Sequence, residues 1–346
     1  MSTKTVGILT GGGDCPGLNA VIRASVRKGI VEYGYRFRGI TSGWKGMLEC
    51  RWEPLELEEI SGILPKGGTI LGTSRTNPFK EPDGGDIVIE NMKRMKLDAL
   101  IAIGGDDTLT VAHKLAEMGT AIVGVPKTID NDINKTDYTF GFDTAINIVT
   151  EALDRIHSTA ESHNRVMVVE VMGRHSGWIA THAGIAGGAD VILIPEKHYT
   201  ITDIIESIKL RHDRGKLFSI VVVAEGVKIE GTDRHAVSDI GQDEFGHVRL
   251  GGIGQLVGEA IEEHTGYETR VTVLGHLQRG GTPTAFDRVL GTRFGIAAID
   301  LVHAEQYDMM VSLQGNRIVP VPIDEAIGEL KMVDDELFDI ARVFFG

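Results

Sequence analysis

Two short apolar runs, Ala99-Leu100-Ile101-Ala102-Ile103 and Ala121-Ile122-Val123-Gly124-Val125, are each followed at once by a polar cluster. The first leads into Gly104-Gly105-Asp106-Asp107-Thr108, the second into Pro126-Lys127-Thr128-Ile129-Asp130-Asn131-Asp132. Such runs, spaced by a helical pattern, predict parallel strands of an α/β sheet. The polar clusters then fall at the carboxyl ends of neighbouring strands, where open α/β sheets bind ligands. Acidic residues, a lysine and glycine-lined backbone meeting there point to a metal and phosphate site.

The pattern repeats along the chain. Strand-like runs occur at residues 6–9, 99–103, 121–125, 166–171, 191–194, 220–224 and 271–274, with helical patterns between most of them. Leu18, Val21, Ile22, Val26 and Ile30 keep a helical period and predict a helix over 17–33. Ala145, Ile148, Val149, Ala152 and Ile156 predict another over 144–157, with Asp143 as its N-cap. Alternation of β and α implies doubly wound sheets. A chain of 346 residues exceeds what one core usually holds, so two domains are expected, with a boundary near 140–143. Residues 226–252, rich in glycine and charge, read as a surface excursion.

A net charge of −14 argues against nucleic acid or an anionic membrane as partner. A phosphate-rich substrate must then be held by local basic clusters. Two cysteines, Cys15 and Cys50, make no disulfide framework and fit a reducing cytoplasm. The N-terminus runs straight into a strand, so no signal peptide is expected, and no apolar run approaches a membrane span.

Five polar loops follow predicted strands. Gly11-Gly12-Gly13-Asp14-Cys15-Pro16-Gly17 precedes a helix, where glycines admit a phosphate and the helix start favours anions. It matches neither a Walker loop, since Leu18 stands where lysine is needed, nor a dinucleotide fingerprint, since residue 16 is proline. The plain alternative is a tight turn, with Asp14 as cap and Pro16 in the first helical turn. In Gly104–Thr108 an aspartate after two glycines suits Mg²⁺, while Asp107 equally suits an N-cap for a helix starting near Thr108. Asp130 and Asp132, two apart on extended backbone, would point the same way, one as base and one as support; an Asp/Asn turn is the alternative. Lys127 would neutralise phosphate charge. Arg174 in Val171-Met172-Gly173-Arg174 suits a phosphoryl clamp, and His276 with Arg279 in Gly275-His276-Leu277-Gln278-Arg279-Gly280-Gly281 suits a phosphomonoester. A solvated loop would explain any one of these, but not five at five strand ends.

Together these residues resemble the phosphofructokinase family, from Gly7 to about Leu301. The resemblance rests on Gly-Gly-Asp-Cys-Pro-Gly-Leu-Asn (12–19), Pro-Lys-Thr-Ile-Asp-Asn-Asp (126–132), Val-Glu-Val-Met-Gly-Arg (169–174) and Leu-Gly-His-Leu-Gln-Arg-Gly-Gly (274–281). It implies two similar three-layer α/β/α domains with mostly parallel sheets. The phosphoryl-donor domain would comprise 1–141 plus about 279–332. The fructose 6-phosphate domain would comprise about 142–278 plus 333–346. It also implies Mg²⁺-dependent transfer of a phosphoryl group to the 1-hydroxyl of fructose 6-phosphate. By motif match, Asp130 is the general base, Asp132 a supporting carboxylate and Asp106 the Mg²⁺-linked carboxylate. Thr128 and Arg174 attend the transferring group, and Gly12, Gly13 and Arg75 the donor phosphates. Met172, Gly173 and Glu225 would contact the sugar, and His276, Leu277, Gln278 and Arg279 the 6-phosphate end. Arg165 and Arg270 match arginines that the family supplies from a neighbouring subunit, which implies a homodimer or homotetramer with shared active sites.

Two positions depart from the ATP-using pattern. Asp107 and Lys127 stand where those members usually have glycine, and resemble pyrophosphate-dependent members. A carboxylate at 107 adds bulk and like charge beside an ATP α-phosphate, which costs several kcal/mol. Pyrophosphate escapes that clash, and Lys127 would bind its charge. The expectation is therefore a pyrophosphate donor. The rivals are an ATP-dependent enzyme of this fold, a lipid or dinucleotide kinase, and a non-catalytic sugar-phosphate sensor. Arg23, Arg27, Arg214 and Lys216 match effector-binding residues of allosteric relatives but read equally as solvated helix charges, and no allostery is expected.

Overall fold

The computed structural model describes residues 3–230, 237–242 and 248–345. In chain order the elements begin with β1 (Thr5–Thr10), α1 (Leu18–Val31), β2 (Arg36–Ile40), α2 (Gly43–Leu48), β3 (Trp52–Pro54), α3 (Gly84–Arg94), β4 (Ala99–Gly104), α4 (Asp106–Glu117) and β5 (Ile122–Thr128). They continue with β6 (Phe140–Gly141), α5 (Phe142–His163), β7 (Val166–Val171), α6 (Trp178–Ala186), β8 (Val191–Leu193), α7 (Ile201–Asp213) and β9 (Ser219–Ala224). The last are β10 (Val237–Gln242), β11 (Val248–Leu250), α8 (Ile253–Thr265), β12 (Thr269–Val273), α9 (Ala285–His303), β13 (Met309–Gln314), β14 (Arg317–Pro322), α10 (Ile323–Ala326) and α11 (Asp335–Arg342).

The described residues divide into two compact units, the first holding 3–144 and 279–329, the second 145–230, 237–242, 248–278 and 330–345. In the first, the sheet runs β14-β13-β5-β4-β1-β2-β3, with β6 beside β5. Its centre is parallel, because β1, β4 and β5 are each followed by a helix or long crossover. Among the described residues of this sheet, only the edge pairs β2–β3 and β13–β14 are antiparallel. Every residue of β4 is buried, as its unbroken apolar run requires for a strand covered on both faces. Each fully buried Ile or Leu there contributes about 1.5–3 kcal/mol. Helix α9 lies close against α1 because Gly291 and Gly295 carry no Cβ: one at Gly295 would sit 2.4 Å from the Val21 carbonyl.

The second unit carries a four-stranded, wholly parallel sheet in the order β12-β7-β9-β8. Helices flank the sheet on both sides in each unit. The 226–252 excursion contains the antiparallel pair β10–β11; its residues 231–236 and 243–247 lie outside the described residues. No helix among the described residues is long and apolar enough to cross a membrane.

Several helix starts differ from expectation. Helix α1 begins at Leu18 with Gly17 as N-cap at φ 109°, so neither Asp14 nor Pro16 opens it. Helix α5 begins at Phe142, which places Asp143 inside its first turn, not at the cap. There the Asp143 carboxylate accepts from Thr284 Oγ1 at 2.6 Å. Helix α4 begins at Asp106 after Gly105, so Asp107 is its second residue and not the cap. In all three cases tertiary contacts or glycine backbone replace the local aspartate cap. Strands β2, β3, β13 and β14 were not legible from apolar runs. They lie toward the sheet edges, where alternation and proline dilute the signal.

Candidate active site

In the first unit, β1 delivers the chain to Gly11, whose N–H donates to the Ile103 carbonyl of β4 at 2.9 Å. Gly12 then takes φ 75°, a left-handed conformation that suits glycine. Its N–H donates to Ser74 O at 3.0 Å, and Thr73 Oγ1 donates back to Gly12 O at 2.6 Å. The segment carrying Arg75 is thereby fixed beside the glycine loop. Gly13 receives two cations. The Lys127 ammonium donates to its carbonyl. The Arg279 guanidinium lies where a Gly13 side chain would begin, 2.3 Å from an ideal Cβ. Arg279 Nη1 also donates to Asp14 O at 3.4 Å, while its buried Nε has no acceptor among the described residues. Lys127 is only 3% exposed. Burial holds its pKa below the ordinary lysine value, and Arg279 lowers it further, against the nearby Cys15, Asp14 and Asp130.

Asp106 and Asp107 occupy the first turn of α4, where acidic side chains meet the positive end of the helix dipole. Asp106 Oδ1 accepts from Gly328 N at 3.4 Å. Thr128 ends β5, and its Oγ1 accepts from Asp130 N at 3.0 Å. The backbone between Asp130 and Asp132 is not extended, as the sequence pattern had suggested: Asn131 sits at φ 52°. Its buried side chain holds this turn, accepting from Thr139 N at 3.0 Å, while Thr139 Oγ1 donates to Thr128 O at 2.8 Å. The Asp132 carboxyl is pushed up to about 7, first by burial and next by the charge of Asp130, with Asp106 adding to it. Its bond with Thr128 offsets part of the shift. Asp106, Asp130 and Asp132 therefore form one like-charged cluster.

No group of three or more His, Cys, Asp or Glu side chains among the described residues is arranged to hold a metal alone. Mg²⁺ commonly binds through one or two carboxylates together with substrate phosphates. The strained carboxylate cluster fits such a shared cation, whose charge would relieve the repulsion on Asp132.

In the second unit, the ends of β7, β9 and β12 bring three loops together. Met172 N donates to Gln278 Oε1 at 3.2 Å, and Gln278 Nε2 donates to Gly275 O at 3.0 Å. Glu225 N donates to Val171 O at 2.8 Å, and Gly226 N to Gly173 O at 3.1 Å. Gly173 has φ 135°, and a Cβ there would sit 2.6 Å from the Ser176 carbonyl. Met172, Gly173, Arg174, Glu225 and the turn of His276–Gln278 thus share one sheet end. Gln278 is fully buried and supports this cluster, whereas the Leu277 side chain is 69% exposed. Arg279, the next residue, belongs to the first unit.

Arg165 and Arg270 lie at the opposite end of that sheet, where β7 and β12 begin. Glu268 holds both, with Arg165 Nη2 at 2.7 Å and Arg270 Nη2 on the same carboxylate oxygen. The hydrogen bond from Arg165 leads in keeping the Glu268 carboxyl below its ordinary pKa.

Two supporting residues escaped the sequence reading of roles. Asn19 was visible only as the last letter of a motif. Its Nδ2 donates to Lys66 O at 3.0 Å and Gly67 O at 3.4 Å, and its Oδ1 accepts from Ile70 N at 2.9 Å. It pins the segment that leads to Arg75. Asp287 accepts from Thr144 N at 2.8 Å and from Thr144 Oγ1 at 2.5 Å, joining the starts of α5 and α9. A buried aspartate in an apolar helical run was the available signal.

Comparison with known proteins agrees with this architecture. A pyrophosphate–fructose 6-phosphate 1-phosphotransferase of Streptomyces coelicolor is 57% identical, covering 99% of each chain. One from Amycolatopsis mediterranei is 55% identical, again over 99% of each. An ATP-dependent 6-phosphofructokinase of Mycobacterium leprae is 51% identical over 99% of each. Among solved structures, Pichia pastoris phosphofructokinase in the T-state superposes with a TM-score of 0.83 at 33% identity. That match covers 99% of this chain and 36% of the yeast chain. The phosphofructokinase pattern spans residues 5–302, and with these relatives along its whole length the chain belongs to the phosphofructokinase family.

Proposed function

We propose that this protein transfers a phosphoryl group from pyrophosphate to the 1-hydroxyl of fructose 6-phosphate, giving fructose 1,6-bisphosphate, reversibly and with Mg²⁺. The observation that carries the donor assignment is the buried Lys127 ammonium on the Gly13 carbonyl, with Asp107 in the first turn of α4. A cation placed on the glycine loop neutralises a short, highly charged donor. A carboxylate at Asp107 repels the α-phosphate of a nucleotide, which pyrophosphate lacks. The two relatives 55–57% identical bear the pyrophosphate-dependent name, and the ATP-dependent relative cited with them is 51% identical.

In this reading the first unit binds the donor and the second binds fructose 6-phosphate. Asp130 accepts the proton of the 1-hydroxyl as its oxygen bonds to phosphorus and the bridging P–O bond of pyrophosphate breaks. Inorganic phosphate leaves with the bridging oxygen. Asp132, whose pKa is raised to about 7, is only partly ionised near neutrality and supports Asp130 without adding a full second charge. Thr128 and Arg174 attend the transferring group, and Mg²⁺ held by Asp106 and the donor phosphates would neutralise developing charge. Gly12, Gly13 and Arg75 cradle pyrophosphate. Met172, Gly173 and Glu225 bind the sugar, and His276 and Arg279 the 6-phosphate. The contact of Arg279 with Gly13 brings its charge to the donor loop as well.

Arg165 and Arg270 serve the 6-phosphate of a neighbouring subunit's site. Six-residue β7 separates them from Met172 by about 20 Å of strand, at roughly 3.3 Å per residue, too far to serve one ligand from one chain. The active assembly is a homodimer or homotetramer. The enzyme is assigned to the cytoplasm, in accord with two unpaired cysteines.

Initial rates with fructose 6-phosphate and Mg²⁺, measured in parallel with pyrophosphate and ATP, test the proposal. Turnover with pyrophosphate and little with ATP is expected. Preference for ATP would overturn the donor assignment. Binding of fructose 6-phosphate with no turnover from either donor would establish a sensor instead.

A further inference from the structure

The last residues of the chain dock on the second unit beside the segment that carries Arg174. Glu196 stands between them. Its Oε1 and Oε2 accept from Gly177 N at 2.9 and 3.1 Å, and Oε1 also accepts from Val333 N at 3.0 Å. Trp178, the first residue of α6, repeats the link: its Nε1 donates to the Lys331 carbonyl at 2.8 Å. The Lys331 ammonium lies 5.3 Å from the same indole ring. Further along, Lys197 pairs with Asp335 and lies 5.4 Å over the Phe338 ring. Val333 and Phe338 are buried, so this segment is packed and not merely adjacent.

The segment 172–177 is held at both ends. In front, Met172 N is fixed by Gln278 and Gly173 O by Gly226 N. Behind, Gly177 N is fixed by the Glu196 carboxylate. Gly177 cannot drift toward β8, since even a Cβ there would meet Ile194 at 2.3 Å. Arg174 lies between the two anchors, three residues from the Glu196 contact.

We infer that Glu196 is a positioning residue for Arg174, and that it couples the C-terminal segment 330–345 to the phosphoryl-transfer step. The inference rests on the role assigned to Arg174 above. A carboxylate is suited to the task, because its two oxygens accept from two backbone N–H groups at once. Residues 331–338 then act as a brace, although they lie outside the substrate contacts. Small losses of alignment at a transferring group cost far more rate than affinity.

The test compares full-length Glu196→Ala, Glu196→Gln and Arg174→Lys with the parent protein, measuring kcat and both KM values. Hydrogen exchange is followed at 172–178 and at 331–338. Expected for Glu196→Ala is a kcat lower by about ten-fold or more, with the KM for pyrophosphate unchanged. Exchange should rise in both segments together, and Glu196→Gln should recover part of the rate. Asp334→Ala is the second variant. It removes the N-cap of α11, which accepts from Leu337 N at 2.7 Å, and touches none of 172–177. It should also lower kcat and loosen 172–178, and it stands in if Glu196→Ala fails to fold. If Arg174→Lys abolishes turnover while folded Glu196→Ala and Asp334→Ala keep full kcat, the brace is refuted and the role of Arg174 survives. If Arg174→Lys keeps full turnover, the role of Arg174 falls and the brace with it.

Discussion

The Lys127 ammonium donates to the Gly13 carbonyl, joining the end of β5 to the glycine loop after β1. A buried cation on a neutral backbone carbonyl is costly unless an anion completes its shell. In the proposed site a donor phosphate would supply that anion. Replacing Lys127 with methionine should therefore raise the KM for pyrophosphate by about ten-fold or more, the equivalent of one charge-assisted hydrogen bond. The KM for fructose 6-phosphate should change little. The paired change Lys127→Gly with Asp107→Gly should begin to admit ATP. Steady-state kinetics with both donors check both outcomes, and a double variant as selective as the parent would remove Asp107 and Lys127 as the donor filter.

Asn19 carries a separate prediction about the donor loop. One buried amide makes three bonds to the backbone of Lys66, Gly67 and Ile70. Asn19→Ala leaves those backbone groups without their partner, at about 1–3 kcal/mol. The loss should appear as a lower urea midpoint and a raised KM for pyrophosphate. Fructose 6-phosphate affinity should hold, because the residues proposed to bind its sugar and phosphate, Arg279 apart, lie in the other unit. An equal rise in both KM values would mean that Asn19 supports the fold and not the donor loop.

Asp287 makes stability depend on pH. Burial is the first cause raising its pKa to about 6, from 3.8, with the bonds from Thr144 opposing and the charge of Asp143 adding. A folded-state pKa above the unfolded value means the native protein binds the proton more tightly. That contribution is complete below about pH 4 and is lost as pH rises through about 6. Its ceiling is on the order of 3 kcal/mol, at 1.36 kcal/mol per pKa unit. Urea midpoints should fall between pH 4 and pH 7. Asp287→Asn, which still accepts from Thr144, should flatten that portion of the curve. An unchanged slope in the variant would assign the dependence to other groups.

How far the sequence carried the fold depended on burial. β4, β5, β7 and β9 were legible because strands covered on both faces must be apolar throughout. β14 was not, since it carries Pro320 and Pro322 and stays partly exposed at the sheet edge; β13 is largely buried, but Ser312 interrupts its apolar run. Helix bodies were legible while their starts were not. The aspartates taken for caps, Asp14, Asp107 and Asp143, are placed by glycine turns and by distant partners such as Thr284, which no local pattern encodes. The site shows the same division. Lys127, Asp130 and Arg174 were readable as polar residues at strand ends. Asn19 and Glu196 were not, because each acts by bonding backbone far away in sequence.

Cys15 and Cys50 should differ sharply toward thiol reagents. Cys15 is fully buried, and its Sγ donates to the Phe140 carbonyl at 3.6 Å. Burial pushes its pKa up to about 12, despite the nearby Lys127. Reaction requires the thiolate, so Cys15 should stay inert in the folded protein. Cys50 is partly exposed. Titration with a chromogenic disulfide should release one equivalent quickly and the second only on denaturation. Rapid reaction of both would mean that the Gly11–Gly17 turn opens in solution.

Arg165 and Arg270, bound together on Glu268 at the far end of the second unit's sheet, predict complementation between inactive chains. Asp130→Asn removes the proposed base within its own chain. Arg165→Ala with Arg270→Ala removes the arginines proposed to serve a neighbour. Each variant alone should be nearly inactive. In a mixed pair, one site carries both defects and the other carries none. Random pairing of equal amounts makes half the dimers mixed, so activity should recover to about a quarter of the parent value, as an interface related by two-fold symmetry requires. The variants must be dissociated and reassembled together, with separately reassembled controls. No recovery from verified mixed dimers would place Arg165 and Arg270 outside a shared site. The two arginines would then be structural partners of Glu268.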